Sequence, residues 1–139
     1  MDFKLELVVL PVSDVDRSKA FYTENAGFHL DVDTSPAEGF RVVQLTPPGS
    51  ACSVTIGTGL TDTPPGTYKG LHLVVTDIAG ARDELVARGV DVTEIRHFGP
   101  DGWQPGTHPE RADYGSFADF ADPDGNSWVL QEVGHVAAT

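Results

Sequence analysis

The sequence predicts an α+β fold in which two βαβββ modules form a curved mixed sheet around a cavity. Two observations carry this. The strand-helix pattern at the start returns in the middle of the chain, and the paired strands that close the first half return at its end. At 139 residues, with 40% hydrophobic and 22% charged residues, the chain suits one globular domain. The expected organisation is a single domain over 1–139 with modules at about 5–60 and 70–133.

The first module opens with LELVVLPVSDVDRSKAFYTENAGF. An apolar strand over about 5–12 leads to Ser13, a good N-cap with Asp16 three residues on. Ala20, Phe21 and Tyr22 give the helix its apolar stripe, and Gly27 ends it. A shorter strand is expected near 28–33. FRVVQLTPPGSACSVTIG, residues 40–57, then gives two strands joined through Pro-Pro-Gly.

The second module repeats this order. GLHLVVTDIAGARDELVARGVDV gives a strand over 71–76, a cap at Thr76 or Asp77, a helix through Leu85 and Val86 and a stop at Gly89. A strand is expected near 90–97. FADFADPDGNSWVLQE closes with two strands around Asp-Pro-Asp-Gly. Asp14 falls on Asp77 and Gly27 on Gly89. Setting Gly49 on Gly125 puts Ser53 on Val129 and Val54 on Leu130. Caps and turns repeated in one order point to duplication.

Composition excludes several functions. The net charge of −12 repels phosphate backbones and anionic lipid, so neither nucleic acid nor membrane is an expected partner. No apolar run approaches the ~18 residues of a membrane span. Pro11 and the polar residues after it spoil a signal-peptide reading. A single cysteine, Cys52, rules out an internal disulfide and fits the cytoplasm.

The stretches VSDVDRSKAFYTENAGF, VTDIAGARDELVARGV and DPDGNSWVLQE together resemble the glyoxalase/bleomycin resistance/dioxygenase (vicinal oxygen chelate) superfamily over about 5–133. The resemblance implies paired βαβββ modules and a homodimer. It leaves the activity open, because the fold hosts isomerases, lyases, dioxygenases and drug-binding proteins. It also implies four metal-ligand positions, usually His or Glu. Here they fall on Leu7, Ser53, Leu71 and Val129, none a normal ligand, so no metal and no cofactor are expected. A one-residue slip would put His72 where Leu71 is placed.

Strand alternation gives Cys52, Val54 and Ile56 one face and Ser53 and Thr55 the other. Trp128 and Leu130 lie opposite Ser127, Val129 and Gln131. With the bulky faces on the helices, the cavity is lined by Leu7, Val9, Leu71, Leu73 and Val129. Ser53, Thr55, Ser127 and Gln131 are its polar points. The Gly- and Pro-rich stretch 96–117 is a long connection holding His97, Trp103, His108 and Tyr114, either a lid whose aromatics stack on a flat ligand or a mobile surface loop. His97, His108 and Glu110 match no metal spacing, and DPDGN suits a hairpin turn better than a calcium loop.

The expected ligand-binding residues are thus Leu7, Val9, Ser53, Thr55, Leu71, Leu73, Trp103, His108, Tyr114, Val129 and Gln131. Two functions fit. One is a metal-free protein that binds a small aromatic or amphipathic molecule, of the drug-binding, antibiotic-resistance type. The other is a glyoxalase-like lyase, isomerase or dioxygenase on a small oxygenated substrate. A metal-free enzyme could use His72, His97, His108 or Tyr114 as acid or base. No catalytic residue is assigned.

Overall fold

A computed structural model describes residues 1–136. Contacts divide the chain into two compact units. The first spans Met1–Tyr68 and Asp122–Asn126; the second spans Lys69–Ala121 and continues from Ser127. Modules cut at 60 and 70 would miss this detail, because the Asp-Pro-Asp-Gly-Asn turn groups with the first unit.

The first unit holds β1 (Leu7–Val9), α1 (Val15–Ala20), β2 (His29–Ala37), β3 (Phe40–Thr46) and β4 (Ser53–Thr58), with sheet order β1-β4-β3-β2. β1 runs parallel to β4, and the other pairs are antiparallel. β1 is shorter than the apolar run 5–12, since Pro11 has no N–H to continue the ladder. Asp14, not Ser13, caps α1, its carboxylate accepting from Arg17 N at 3.1 Å. Ser13 instead donates its backbone N–H and hydroxyl to Asp124. The helix widens into a π-helical turn over Phe21–Asn25, ahead of Gly27 at φ 78°. α1 packs on β4, and Val43, Leu45, Val54 and Ile56 are buried on that side.

The second unit holds β5 (Leu71–Val75), α2 (Ile78–Ala87), β6 (Arg96–Gly99), β7 (Gly102–Pro105), β8 (Ser116–Ala121) and β9 (Ser127–Glu132), in sheet order β5-β9-β8-β6-β7. β5 runs parallel to β9, as β1 does to β4. Asp77 caps α2 through Gly80 N, and Gly89 takes φ 89°. The strand expected at 90–97 starts only at Arg96. Val90 and Val92 are buried outside any strand, and Thr93 N–H donates to the Asp119 carbonyl. Their apolar signal is core anchoring, not pairing. The expected loop 96–117 contains the β6–β7 hairpin, which adds a fifth strand to the four-strand plan of the first unit.

The turn at 122–126 is built around one buried carboxylate. Asp122 accepts from Tyr22 Oη at 2.8 Å, from the N–H groups of Asp124 and Asn126 at 2.9 and 3.0 Å, and from Asn126 Nδ2 at 2.8 Å. Asn126 Nδ2 also donates to the Pro11 carbonyl at 2.9 Å, and Gly125 turns the chain at φ 96°. These side chains act as turn closers rather than calcium ligands. Asp122→Ala strands the Tyr22 hydroxyl and two backbone donors. The expected loss is about 3 kcal/mol in chemical denaturation, with Tyr22→Phe costing less.

Candidate functional site

Register partners in a sheet present side chains to the same face, so the ladders decide which residues can act together. In the first unit, Leu7 pairs with Ser53 and Val9 with Thr55, while Gln44 pairs with Thr55 from the other side. Leu7, Val9, Ser53 and Thr55 therefore share the helix-free face, as alternation predicts. Ser53 and Thr55 are both buried, and Leu7 and Val9 half-buried.

In the second unit, Leu71 pairs with Trp128 and Leu73 with Leu130, both buried on the side where α2 packs. Leu71 and Leu73 thus do not lie with Val129 and Gln131, contrary to the sequence reading. His72 pairs with Val129 and Val74 with Gln131. Seven positions separate Leu7 from the cap Asp14, whereas five separate His72 from Asp77, so counting from the caps misplaces the register. His72 is the structural counterpart of Leu7. Its Nδ1–H donates to the Gly70 carbonyl at 2.6 Å, which leaves Nε2 to accept.

The helix-free face of the second sheet carries an aromatic cluster that sequence reasoning found only in part. Phe98 and Trp103 are paired across the hairpin, 62% and 55% exposed, with ring centroids 5.4 Å apart at 76°. Phe117, paired with Gln131, sits 5.5 Å from Trp103 at 81°. Arg96 holds its guanidinium 5.1 Å from the Trp103 ring and 5.9 Å from Phe117, and forms ion pairs with Asp119 at 3.1 and 3.3 Å. Arg96, Phe98, Phe117 and Asp119 were missed. The period-two spacing 96/98 and 117/119 was the available signal.

His108 and Tyr114 do not join Trp103. His97 pairs with Ser116 on the opposite face, and the His108 ring meets His97 edge-on at 6.0 Å. His108 Nδ1 accepts from Glu110 N at 3.1 Å and Ala112 N at 3.4 Å, closing the turn that follows β7. That is a local structural task. Tyr114 is exposed at φ 64°, with its N–H on the Glu132 carbonyl and its carbonyl accepting from Gln131 Nε2 at 3.3 Å. Cys52 is half-buried. Among the described residues no three His, Cys, Asp or Glu side chains gather.

Known proteins match this arrangement. A family model described as the Glyoxalase/Bleomycin resistance protein/Dioxygenase superfamily matches residues 4–130. The chain belongs to this superfamily. Solved structures similar to it include TnmS3, an antibiotic-binding protein from Streptomyces sp. CB03234. It is 33% identical, with 94% of this chain and 96% of that one covered at a TM-score of 0.73. A glyoxalase/bleomycin resistance protein from the same organism is 34% identical over 92% and 99%, at 0.69. A superfamily member from Sphaerobacter thermophilus DSM 20745 is 28% identical over 95% and 98%, at 0.73. No curated protein matches the chain.

The superfamily's metal positions, corrected for register, fall on Leu7, Ser53, His72 and Val129. In the first unit these positions offer only the Ser53 hydroxyl, a weak ligand, and in the second only the His72 imidazole.

Beside this face, the fully buried Glu132 accepts from Arg111 Nε at 2.7 Å and from Ile78 N at 2.9 Å at the start of α2. Arg111 holds the Glu132 carboxyl below the ordinary carboxylate range, against the opposing push of burial. The native carboxyl then titrates below the unfolded one. Its stabilisation is full above the ordinary carboxylate range and is lost as pH falls through and below it. Arg111→Ala should cost about 3 kcal/mol by leaving a buried carboxylate unpaired. Glu132→Gln should flatten the acid limb of stability against pH, measured by denaturant midpoints.

Proposed function

We infer that this superfamily member is a metal-free binding protein for a small, flat aromatic or amphipathic molecule, of the antibiotic-binding type. The observation that carries the reading is the cluster of exposed Phe98 and Trp103 with half-buried Phe117 on a helix-free sheet face. Exposed aromatic surface held in fixed edge-to-face geometry is costly in water and gives a planar ligand a rigid platform. Val129 supplies apolar floor where metal-dependent relatives would need a ligand. Gln131 and His72 offer acceptors on the same face. The similarity to an antibiotic-binding protein supports the same class.

Within this reading the ligand contacts of the second unit are Trp103, Phe98, Phe117, Val129 and Gln131, with Leu7, Val9, Ser53 and Thr55 as a further face in the first. Leu71, Leu73 and His108 drop out. Tyr114 stays as a flanking residue. The protein works in the cytoplasm as a homodimer.

A second reading, an enzyme on a small oxygenated substrate, draws on His72. Its Nδ1 is fixed on a carbonyl and its Nε2 is left on the exposed side, as a general base requires. Loss of turnover in His72→Asn with ligand affinity kept would favour this reading.

Two measurements check the binding reading. Protein purified without chelators or a nickel-binding tag should carry far less than stoichiometric divalent metal by mass spectrometry. Near-stoichiometric metal would defeat it. Trp103→Ala should weaken an aromatic ligand by about 1–3 kcal/mol in calorimetry, with the folded state kept in circular dichroism.

A further inference from the structure

Val129 stands at the centre of an open patch on the helix-free face of the second sheet. Its register partners are His72 on one side and Asp119 on the other. Gln131, two residues along β9, lies between Val74 and Phe117, and Arg96 follows Phe117 in the next strand. Register partners, and residues two apart on one strand, share a face, so these side chains surround the Val129 methyls. Solvent reaches the patch: His72 and Val74 are exposed, and Val129, Gln131, Phe117 and Asp119 are half-buried.

The polar groups around Val129 have fixed directions. A carbonyl only accepts, so the 2.6 Å contact of His72 Nδ1 with the Gly70 carbonyl puts the ring proton on Nδ1. Nε2 of the neutral ring is then an acceptor, and it has no partner among the described residues. The same rule orients Gln131. Its Nε2 donates to the Tyr114 carbonyl at 3.3 Å, which leaves Oε1 as the open end of the amide. Asp119 adds a carboxylate, whose two oxygens take N–H groups of Arg96 at 3.1 and 3.3 Å and each keep a lone pair. Among the described residues of this face Arg96 is the one Lys or Arg, and that pairing commits it.

The resulting pattern is lopsided. An apolar floor is ringed by the acceptors His72 Nε2, Gln131 Oε1 and the Asp119 carboxylate, while the nearby guanidinium is already paired. Exposed acceptors are satisfied by water, and a ligand that covers them has to return those hydrogen bonds in kind. An arene with ether or methyl groups at its rim strips the water and returns nothing. An arene with O–H or N–H at its rim returns a bond to each acceptor it reaches, and a site built to accept rejects the analogue that lacks the donor.

We propose that this face selects planar arenes carrying hydrogen-bond donors at the rim, phenols and aryl amines, with His72 Nε2 and Gln131 Oε1 as the selecting acceptors. The ring covers Val129, its donors meet the two acceptors, and the rest of the ligand runs toward Phe117 and Trp103. His72 here accepts a hydrogen bond and moves no proton. The selection rests on the binding reading above and narrows it to a ligand class.

The test is an NMR titration of the full chain with 2,7-dihydroxynaphthalene and with 2,7-dimethoxynaphthalene, which share their rings and differ in donors. Wild type should bind the diol about tenfold or more tightly than the diether. His72→Leu combined with Gln131→Met should bring that preference to within about twofold. Trp103→Ala should weaken both ligands in similar proportion and keep the preference. A further readout needs no variant: the His72 Nε2 nitrogen resonance of wild type should move with the diol and stay with the diether. Equal binding of the two ligands, a preference that outlasts the double variant, or an unmoved Nε2 resonance overturns the proposal. If both bind equally and both lose affinity in Trp103→Ala, the binding reading stands and only the donor selection falls. If neither ligand shifts any residue of the face, as when a second copy of the chain covers it, both fall together.

Discussion

The parallel pairing of the first strand of each module with its last is the constraint on which the other assignments rest. It sets Leu7 against Ser53 and His72 against Val129. Because side chains alternate, one such pair decides the face of every residue in both strands and, through the antiparallel partners, across the whole sheet. Trp128 and Leu130 go toward the helix, and Val129 and Gln131 go away from it. A slip of one residue in β5 would bury an imidazole against α2 and expose two leucines. The register is therefore as strongly specified by burial as by hydrogen bonds.

How much of this was legible depends on what each signal measures. Caps and turns are local, and Asp77, Gly27, Gly89 and Gly125 stand where the sequence puts turns and helix ends. The choice of Asp14 over Ser13 was not legible, because Ser13 is claimed by Asp124, more than a hundred residues away in sequence. Period-two alternation placed the faces of β4 and β9 correctly; in β9 half-buried and buried residues alternate in strict turn, while in β4 the apolar Val54 and Ile56 alternate with the small polar Ser53 and Thr55 although both faces are buried. It failed in β5, where LHLVV is apolar on both sides except at His72, and the register had to be borrowed from a cap at a different distance. In Gly- and Pro-rich sequence, Arg96 to Pro105 looked like loop. Turn residues at 99–102 mark a hairpin only if the flanking four-residue strands are recognised as strands.

Buried polar groups here divide into those that are complete and those that are not. Asp122 has four donors, and Glu132 has a guanidinium and a helix N–H. Both are framework. Two non-glycine residues with positive φ, Arg111 and Tyr114, lie in the connection that reaches Glu132, so the ion pair also holds a backbone path that is otherwise unfavourable. Thr55 belongs to the incomplete class, its hydroxyl buried with no hydrogen-bond partner among the described residues. Completed networks specify the fold. The incomplete group is a cost that the sheet carries.

The hairpin that brings Trp103 to the sheet also makes β7 the last strand of that sheet. A terminal strand beside exposed aromatic rings is a natural template for another chain to add to. β7 is a poor template: it is four residues long, begins at Gly102 with φ 98°, is followed by Gly106 at φ 88°, and ends in Pro105, which has no N–H to offer. Strand addition, and with it fibril growth, has little backbone to grip. An aromatic surface can therefore stay open in solution without drawing copies of the protein into aggregates.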